Sequence, residues 1–359
     1  MQLGMQTGAS VWPGITYEEA VDQLTWQARF ADEAGFKRLW LVEHHFVEFA
    51  MSGAPSTILA HYASITKTIK LGYAVAVLPL HHPVRLAEEM AWLDQLSKGR
   101  MMLGIGPGFS PLEYGVFGVE VERKREYVEE SFRILKLALS GQPFTYDGPI
   151  WKIPPIQIHP APYQGRTMPF YMATSSHDSV ARAARWDVSP LLGFRPVEVL
   201  KDQIKLWRSV RAELGDTPEE IDRKQKEIGV LRRIVVGASE AEARAVADAG
   251  SLQFAEAIRR LNTAAGESRP RAIEALGPDG RRVLLQDVNE EDQRARSSQN
   301  AAAGTIAGTK SHVIEQLYEL QETGVGHVLA GFGGRGVPHR EARANLEMIA
   351  SDILPLFND

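Results

Sequence analysis

Apolar runs alternate along this chain with segments whose apolar residues recur every three or four positions. The stretch from Ile69 to Gly108 shows the pattern most clearly. The apolar run Ile69–Leu78 precedes Val84–Leu96, a segment with a broad apolar stripe of helical period. A turn ending at Gly99, where a left-handed helix cap is expected, leads into a second apolar run, Arg100–Gly106. Strands this apolar need cover on both faces, so the pattern predicts one βαβ unit of a parallel sheet.

The same pattern over the whole chain predicts eight strands, each followed by a helix. The predicted strands are Leu3–Thr7, Arg38–Glu43, Ile69–Leu78, Arg100–Gly106, Phe170–Thr174, Asp187–Gly193, Ile228–Gly237 and His327–Phe332. The predicted helices are one from the Thr16 cap to Ala34, then Pro55–Thr68, Val84–Leu96, Glu122–Leu139, Asp178–Arg185, Pro196–Leu214, Ser239–Ala264, Ser311–Glu322 and Glu341–Leu354. This alternation predicts a (β/α)8 TIM barrel that forms a single domain over residues 1–359. A doubly wound open sheet would alternate as well, but Gly4–Gly14 lacks the Gly-x-Gly-x-x-Gly turn usual after its first strand.

Two segments interrupt the alternation, after the fourth and the seventh βα units. In the first, residues 142–169, Asp147-Gly148 favours a primed turn between two short strands, and Pro154–Pro162 must be extended. The second, residues 266–304, is polar and rich in Pro, Gly and Ser, so we expect a mobile lid.

Composition narrows the class of protein. The 359 residues carry a net charge of −5 with acids and bases interspersed, so we expect neither a nucleic-acid nor a membrane partner. No apolar run approaches the roughly 20 residues of a membrane span, and Met1–Met5 does not begin a signal peptide. The absence of cysteine excludes disulfides and thiolate chemistry. A cytoplasmic enzyme is compatible with all of this.

In a barrel, chemistry lies at the carboxyl ends of the strands. The second predicted strand ends in Glu43-His44-His45, where alternation places Glu43 and His45 on one face and His44 on the other. Adjacent histidines cannot therefore chelate one metal, and no metal site is expected. A structural hydrogen bond and a role in proton transfer both remain open for His44. Gly104 and Gly106 admit either tight barrel packing or the close approach of a flat ring.

Two places could hold an anion. Arg125 belongs to a basic cluster in the first turn of a predicted helix, where cations oppose the helix dipole unless an anion binds. Ser175, Ser176 and Ser179 surround the start of another helix, which can bind an anion or merely carry a serine cap. Catalysis at His81 or His82 is the weaker alternative to a surface or capping role for that pair.

Four motifs resemble those of the bacterial luciferase-like flavin-dependent monooxygenase family, in its FMN branch. They are Trp40–Phe46, Leu78–Arg85, Leu93–Arg100 and Gly104–Gly108. Their order and spacing match that family over most of the chain, which implies the same barrel fold.

The resemblance implies a role for each candidate residue. His44 would be the catalytic acid or base, and Arg125 would bind the flavin phosphate. The other implied cofactor-binding residues are Ala74 and Val75, joined by a non-proline cis peptide bond beneath the flavin ring, Gly106, Ser175, Ser176, Ser179 and Phe194. Luciferases have a cysteine at the position of Gly106 and a basic residue at Pro107, so these departures argue against light emission.

The function implied is a two-component monooxygenase. Reduced FMN from a separate flavin reductase would react with O2 to a C4a-peroxyflavin, which oxygenates a small organic substrate. Aromatic and apolar residues near the predicted mouth favour an apolar substrate; they are Trp12, Met51, Phe109 and Phe194. The resemblance also implies a homodimer through Pro55–Thr68 and Val84–Leu96.

Three alternatives stay open. A relative of the same fold would use the deazaflavin F420 and transfer hydride without oxygen. A metal-dependent barrel hydrolase would need His-x-His on its first strand, where Gly4, Gln6 and Gly8 stand, and a glycosidase would need a second strand-end carboxylate beside Glu43. A non-catalytic flavin-binding barrel is the last.

Overall fold

The computed structural model describes residues 1–11, 14–251, 273–276, 282–285, 303–332 and 339–357. The strands are β1 (Gln2–Thr7), β2 (Arg38–Leu41), β3 (Lys70–Val77), β4 (Met101–Gly106), β5 (Phe144–Asp147), β6 (Lys152–Ile156), β7 (Phe170–Thr174), β8 (Ser189–Leu192), β9 (Gly229–Val236), β10 (Ile273–Leu276), β11 (Arg282–Leu285), β12 (Thr305–Gly308) and β13 (His327–Phe332). The helices are α1 (Tyr17–Glu33), α2 (Pro55–Ile65), α3 (Pro83–Ser97), α4 (Pro111–Val116), α5 (Lys124–Ala138), α6 (His177–Arg185), α7 (Val197–Glu213), α8 (Pro218–Gln225), α9 (240–251, as far as it is described), α10 (Lys310–Glu322) and α11 (His339–Asp352).

Eight of the described strands form a closed ring. Their order is β9-β13-β1-β2-β3-β4-β7-β8, and β8 pairs back with β9. Neighbouring strands run parallel, with Gln2 opposite His327 and Arg38 opposite Lys70. The predicted (β/α)8 barrel is therefore confirmed, and β12 joins it as an additional parallel strand beside β9.

The chain divides into two compact units. One consists of residues 7–170; the other consists of residues 1–6 and the described residues from 171 onward. The first contains β2 to β6 with α1 to α5, and its fully buried side chains include Trp40, Tyr62 and Tyr73. The second contains nearly all of β1 and also β7 to β13 with α6 to α11. The single-domain prediction stays a prediction.

One guanidinium ties together three elements of the first unit. Arg100 follows α3, and its Nε donates to the Ser97 carbonyl at 2.9 Å. Its Nη1 donates to Ile69 O at 2.9 Å and to Thr66 Oγ1 at 2.8 Å, while Nη2 donates to Ala63 O at 3.0 Å and Thr66 O at 3.1 Å. Arg100 therefore satisfies the carboxyl end of α2, where helix carbonyls lack partners, and fixes the start of β3.

Several predicted boundaries change for local reasons. The left-handed cap of α3 is Lys98, with φ 56°, and Gly99 follows with φ 82°. The predicted primed turn at Asp147-Gly148 is wrong: residues 148–151 connect β5 to β6, and Gly148 N–H donates to Trp151 O at 2.9 Å. The cause is tertiary, because the buried Glu130 carboxylate accepts the Ile150 and Trp151 N–H groups, and a Cβ at Gly148 would collide with it.

Outside the lid segment, the sequence analysis missed three short helices or strands among the described residues, which are α4, α8 and β12. Helix α4 begins with Ser110 as its cap and a proline in its first turn, and α8 begins with a full capping box between Thr217 and Glu220. Both carry recognisable start signals but are too short to show helical periodicity. The strand β12 has four residues and pairs Thr305 with Arg233.

The expected lid at 266–304 lies mostly outside the described residues, as do the last residues of the predicted helix Ser239–Ala264. Within the lid segment, β10 and β11 pair antiparallel, with Ile273 opposite Leu285. Among the described helices, none combines the length and apolar character that crossing a membrane requires.

We expect Arg100→Lys to lower the free energy of unfolding by about 1–3 kcal/mol, because one ammonium cannot reach acceptors on three elements at once. Urea unfolding followed by circular dichroism measures the change. Arg125→Lys is the control, since 60% of the Arg125 side chain is exposed and its Nε donates to Glu129, one turn along the same helix, at 3.2 Å. Equal losses in the two variants would contradict this account of Arg100.

Candidate active site

His44 lies three residues beyond the end of β2. Its ring centroid is 5.5 Å from that of the buried Phe49, and 5.9 Å from that of Phe109, in an edge-on contact. Phe109 follows β4 and is 49% exposed. The imidazole therefore lies between an interior phenylalanine and one that reaches solvent, a position from which it can meet a small molecule.

The strand β2 stops at Leu41, so the prediction that it runs to Glu43 is wrong. The reason is a side chain that replaces the sheet ladder. The Glu43 carboxylate accepts the Val77 N–H of β3 at 2.8 Å through Oε2. The His45 N–H is likewise taken by a side chain, Glu113 Oε1, at 2.9 Å.

Glu43 is the centre of a buried polar cluster, which we call the Glu43 cluster: Glu43, His45, His81 and Glu113. The residue Glu43 is 3% exposed. Its Oε1 lies 3.0 Å from His45 Nε2 and 2.8 Å from His81 Nε2. His81 Nε2 also lies 2.9 Å from Oε2. The alternation in Glu43-His44-His45 correctly placed Glu43 beside His45, but His81 comes from the turn after β3, and only the fold brings it there.

The electrostatics of the cluster favour an ionised Glu43. Burial alone would raise the pKa of Glu43, but hydrogen bonds from His45 and His81, the charge of His81 and the Val77 N–H lower it to about 2. Burial lowers the pKa of His81, and the hydrogen bond and charge of Glu43, helped by Glu89, more than offset this, so that pKa is raised. Burial raises the pKa of Glu113, which the His45 contact opposes and the charge of Glu43 reinforces.

The end of β3 has an unusual backbone. The bond between Ala74 and Val75 is cis, as the resemblance implied. The pairing with β4 shifts register there, since Tyr73 pairs with Leu103 and Ala76 with Ile105. Ala74 and Val75 are partly exposed, whereas the β3 residues on either side of them, from Leu71 to Val77, are buried.

The two glycines of β4 separate in role. A Cβ at Gly104 would collide with the Tyr73 carbonyl oxygen, so this glycine is required by tight packing, the first of the two interpretations. Gly106 is the last residue of β4 and is buried. Its role beside a flavin ring stays a prediction.

Arg125 lies in the first turn of α5, as predicted, with 60% of its side chain exposed. Its Nε donates to Glu129 Oε1 at 3.2 Å, one turn along the helix. The neighbouring Arg123 lies 3.2 Å from Glu126 and 3.5 Å from Glu120. Local carboxylates thus account for part of this basic cluster, and an anion at the exposed Arg125 stays a prediction.

The predicted serines lie in the other compact unit. Ser176 is the buried cap of α6 and forms a capping box with Ser179, whose hydroxyl accepts the Ser176 N–H at 3.0 Å and the Ser175 N–H at 3.1 Å. The capping interpretation therefore holds for Ser176 and Ser179. Ser175 is exposed, and its carbonyl accepts from Arg195 Nη2 at 3.3 Å. A buried guanidinium under this loop was missed, because nothing in the sequence sets Arg195 apart.

The remaining candidates take structural positions. Phe194 is half-buried, and a Cβ at Gly304 would collide with its ring. His82 caps α3 without a side-chain bond, and its ring meets Trp151 edge-on at 4.7 Å. His177 is the first residue of α6. Trp12 lies outside the described residues. Over the ranges described, no three His, Cys, Asp or Glu side chains form a metal site.

The Glu43–His81 pair predicts a bounded pH range of maximal stabilisation. The Glu43 contribution is present above its ordinary pKa of 4.5 and is lost as pH falls towards 2; the His81 contribution is present below its ordinary 6.5 and is lost as pH rises through its raised pKa. A shift of Glu43 from 4.5 to about 2 corresponds to on the order of 3 kcal/mol. The difference in unfolding free energy between wild type and Glu43→Gln should therefore be largest between pH 4.5 and 6.5.

Urea unfolding of both proteins, repeated from pH 3 to pH 9 in steps of about one pH unit, measures this difference. Glu130→Gln serves as the control: Glu130 is a buried carboxylate that accepts backbone N–H groups in the β5–β6 connection. Its difference should show no decline on the alkaline side. A flat difference for Glu43→Gln across the range would refute the ion pair.

Comparison with known proteins agrees with this fold. The family model described as luciferase-like monooxygenase matches residues 1–327. An uncharacterized protein, y4vJ, of Sinorhizobium fredii is 38% identical over 159 residues, which is 44% of this chain and 45% of that protein. The alkanal monooxygenase alpha chain of Photorhabdus luminescens is 25% identical over 97% of this chain and 95% of its own length. Limonene 1,2-monooxygenase of Rhodococcus erythropolis is 28% identical over 91% of this chain and 79% of its own length.

Solved structures share the fold. The monooxygenase RslO1 of Streptomyces bottropensis has a TM-score of 0.81 at 21% identity, covering 99% of this chain and 100% of its own. The oxygenating constituent of 3,6-diketocamphane monooxygenase from Pseudomonas putida, a type II Baeyer–Villiger enzyme solved with FMN, has a TM-score of 0.75 at 20% identity, covering 99% and 98%. An F420-dependent secondary alcohol dehydrogenase, solved with an F420–acetone adduct, has a TM-score of 0.74 at 15% identity, covering 100% and 99%. Because the family model spans nearly the whole sequence, the chain belongs to the luciferase-like monooxygenase family.

Proposed function

We propose that this protein is the oxygenating component of a two-component monooxygenase, which takes reduced FMN from a separate reductase and uses O2 to oxygenate a small apolar substrate. The observation that carries the proposal is the position of His44 in a chain of this family. Its imidazole lies between the buried Phe49 and the half-exposed Phe109, at the end of a barrel strand.

The residues present fit a flavin at two points. The partly exposed backbone at Ala74 and Val75, next to the side-chain-free end of β4, suits a flat ring. Arg125, in one compact unit, offers an exposed guanidinium, and Ser175, in the other, offers an exposed hydroxyl; each group by itself is suited to an anion. Ser176 and Ser179 use their hydroxyls on each other, so their contribution is to hold the loop of Ser175 in shape.

Reduced FMN, when bound, supplies the two electrons that allow one atom of O2 to enter the substrate while the other leaves as water. The protein must then bind, orient and shield the reactants and move protons. An imidazole carries one nitrogen that can accept a proton and one that can donate it, so His44 can act as acid or base at the site. Phe49 and Phe109 present apolar surface to the same space and favour an apolar substrate.

The expected homodimer has support on α3. Trp92 and Leu96 are 57% and 56% exposed, and they line a groove with Ser56, Thr57 and Ala60 of α2. These two side chains lie one helical turn apart beside the groove, and an apolar patch of this kind is suited to a protein contact. We therefore assign the face of α2 and α3 to the contact between two copies of the chain.

A second candidate is an F420-dependent oxidoreductase. The fold is similar to that of an F420-dependent secondary alcohol dehydrogenase, in which a barrel of this kind holds a deazaflavin. This similarity supports F420 as the alternative cofactor. The two candidates differ in their demand for oxygen. Anaerobic titration with reduced FMN and with reduced F420, followed by fluorescence, separates them: the proposal expects tighter binding of reduced FMN.

We expect His44→Gln to lower turnover about 10²-fold or more, since positioned acid–base groups contribute at least that much, while the Kd for reduced FMN changes less than about threefold. Oxygen uptake with supplied reduced FMN, across a panel of aldehydes, ketones and polycyclic phenols, measures turnover as substrate-dependent consumption. His82→Gln is the matched control and should retain wild-type rates. If wild-type protein consumes no O2 beyond free flavin with every substrate class, the proposed function is wrong.

Arg125→Gln should weaken reduced FMN binding about 10-fold, the effect of losing one charge-assisted hydrogen bond. The binding of reduced riboflavin, which lacks the phosphate, should stay within about twofold of wild type. Arg123→Gln is the control, because the Arg123 guanidinium is already engaged by Glu120 and Glu126. A matching loss for riboflavin would show that Arg125 does not contact the phosphate.

A further inference from the structure

In the chain, His44 lies between Glu43, a buried carboxylate, and His45, whose N–H donates to a second buried carboxylate, Glu113. Before it in the chain, Glu43 accepts the Val77 N–H at 2.8 Å and the His81 Nε2–H at 2.8 Å. After it, the His45 N–H donates to Glu113 Oε1 at 2.9 Å. The His45 ring returns to Glu43 at 3.0 Å, so the backbone on both sides of His44 is held within one cluster.

We propose that Glu43 is the positioning residue for His44, and that His81 and Glu113 complete the frame that holds this imidazole at the reacting end of the barrel. The inference rests on the proposed function only in taking His44 as the proton-transfer group. It assigns a positioning role to Glu43, Glu113 and His81, for which the family resemblance implied no role.

A carboxylate is the group that this position requires. Three donors converge on it: His45, His81 and the Val77 N–H approach its two oxygens at 2.8 to 3.0 Å. An amide at residue 43 would turn two hydrogens towards those donors. The carboxylate is buried, so water cannot substitute for a lost contact, and each unmet donor would favour a different local backbone.

The two supporting histidines are fixed in one role. Both direct Nε2 at Glu43, so each donates from that nitrogen. On the opposite edge, His45 Nδ1 would lie 3.3 Å from a Cβ at Gly53, which shows how closely the chain packs behind this ring. Both imidazoles therefore serve to hold Glu43 in place.

The same carboxylate also fixes the other side of the site. The carboxylate accepts the N–H of the buried Val77. Val77 lies two residues beyond Val75, the residue at which the partly exposed segment of β3 ends. One buried charge therefore sets the separation between the loop of His44 and the strand end proposed to lie against the flavin. Displacement of about 1 Å between reacting groups can lower rates about 10²-fold, so a small relaxation here would be measurable.

The test compares Glu43→Gln, Glu43→Asp and Glu130→Gln with wild type. Glu43→Gln should lower kcat about 10²-fold, with KM for the substrate and the Kd for reduced FMN within about threefold. Glu43→Asp keeps the charge on a shorter arm and should recover part of the loss, about 10-fold below wild type; it also carries the test if Glu43→Gln does not fold. Glu130→Gln, which removes an equally buried carboxylate outside the cluster, should retain wild-type kcat.

A second measurement does not depend on turnover. The imidazole Hε1 resonance of His44, assigned by its loss in His44→Gln, should shift or broaden in Glu43→Gln and stay unchanged in Glu130→Gln. If the wild-type protein shows no oxygenase activity, the proposed function fails while this spectrum still tests the frame. An unchanged His44 resonance in a folded Glu43→Gln protein, or a kcat within about threefold of wild type, overturns the inference.

Discussion

A buried carboxylate at the end of β2 organises the candidate active site. Glu43 is almost fully removed from water, and such a group is tolerable only when every lone pair is met by donors. Here the donors come from the residue two positions on, from the turn after β3, and from the β3 backbone itself. Because these contacts replace the sheet ladder, the chain can leave β2 early and present His44 in a loop that is nevertheless rigidly held.

The packing around this cluster leaves the strand ends little freedom. A side chain at Gly104 would meet the Tyr73 carbonyl, so β3 and β4 approach each other more closely than side chains would permit. At the opposite end of the same strand, the Arg100 guanidinium ties the start of β3 to the ends of α2 and α3. The strand that carries Ala74 and Val75 is thus held by a charged side chain at each end, the partly buried Arg100 at its start and the buried Glu43 at its end.

The proposed phosphate-binding groups are organised differently. Arg125 and Ser175 are exposed, and the protein supports them through neighbours: Glu129 holds the arginine along α5, while the Ser176–Ser179 capping box and Arg195 hold the loop of Ser175. An exposed anion-binding group can exchange its ligand readily, which suits a cofactor that arrives from another protein in each cycle.

The sequence by itself determined the barrel, because strands that are covered on both faces consist of consecutive apolar residues and can be recognised as such. The strands Phe170–Thr174 and His327–Phe332 end where the runs end, and the helix caps at Thr16 and Ser176 lie where hydroxyl residues precede helical periodicity. It also placed Glu43 and His45 on one face by alternation alone. Tertiary structure decided the rest: the early end of β2, the turn bent around Glu130, and the meeting of His81 and Glu113 with the loop of His44. Each of these depends on a buried polar group whose partners are distant in the chain, and local pattern carries no information about such partners.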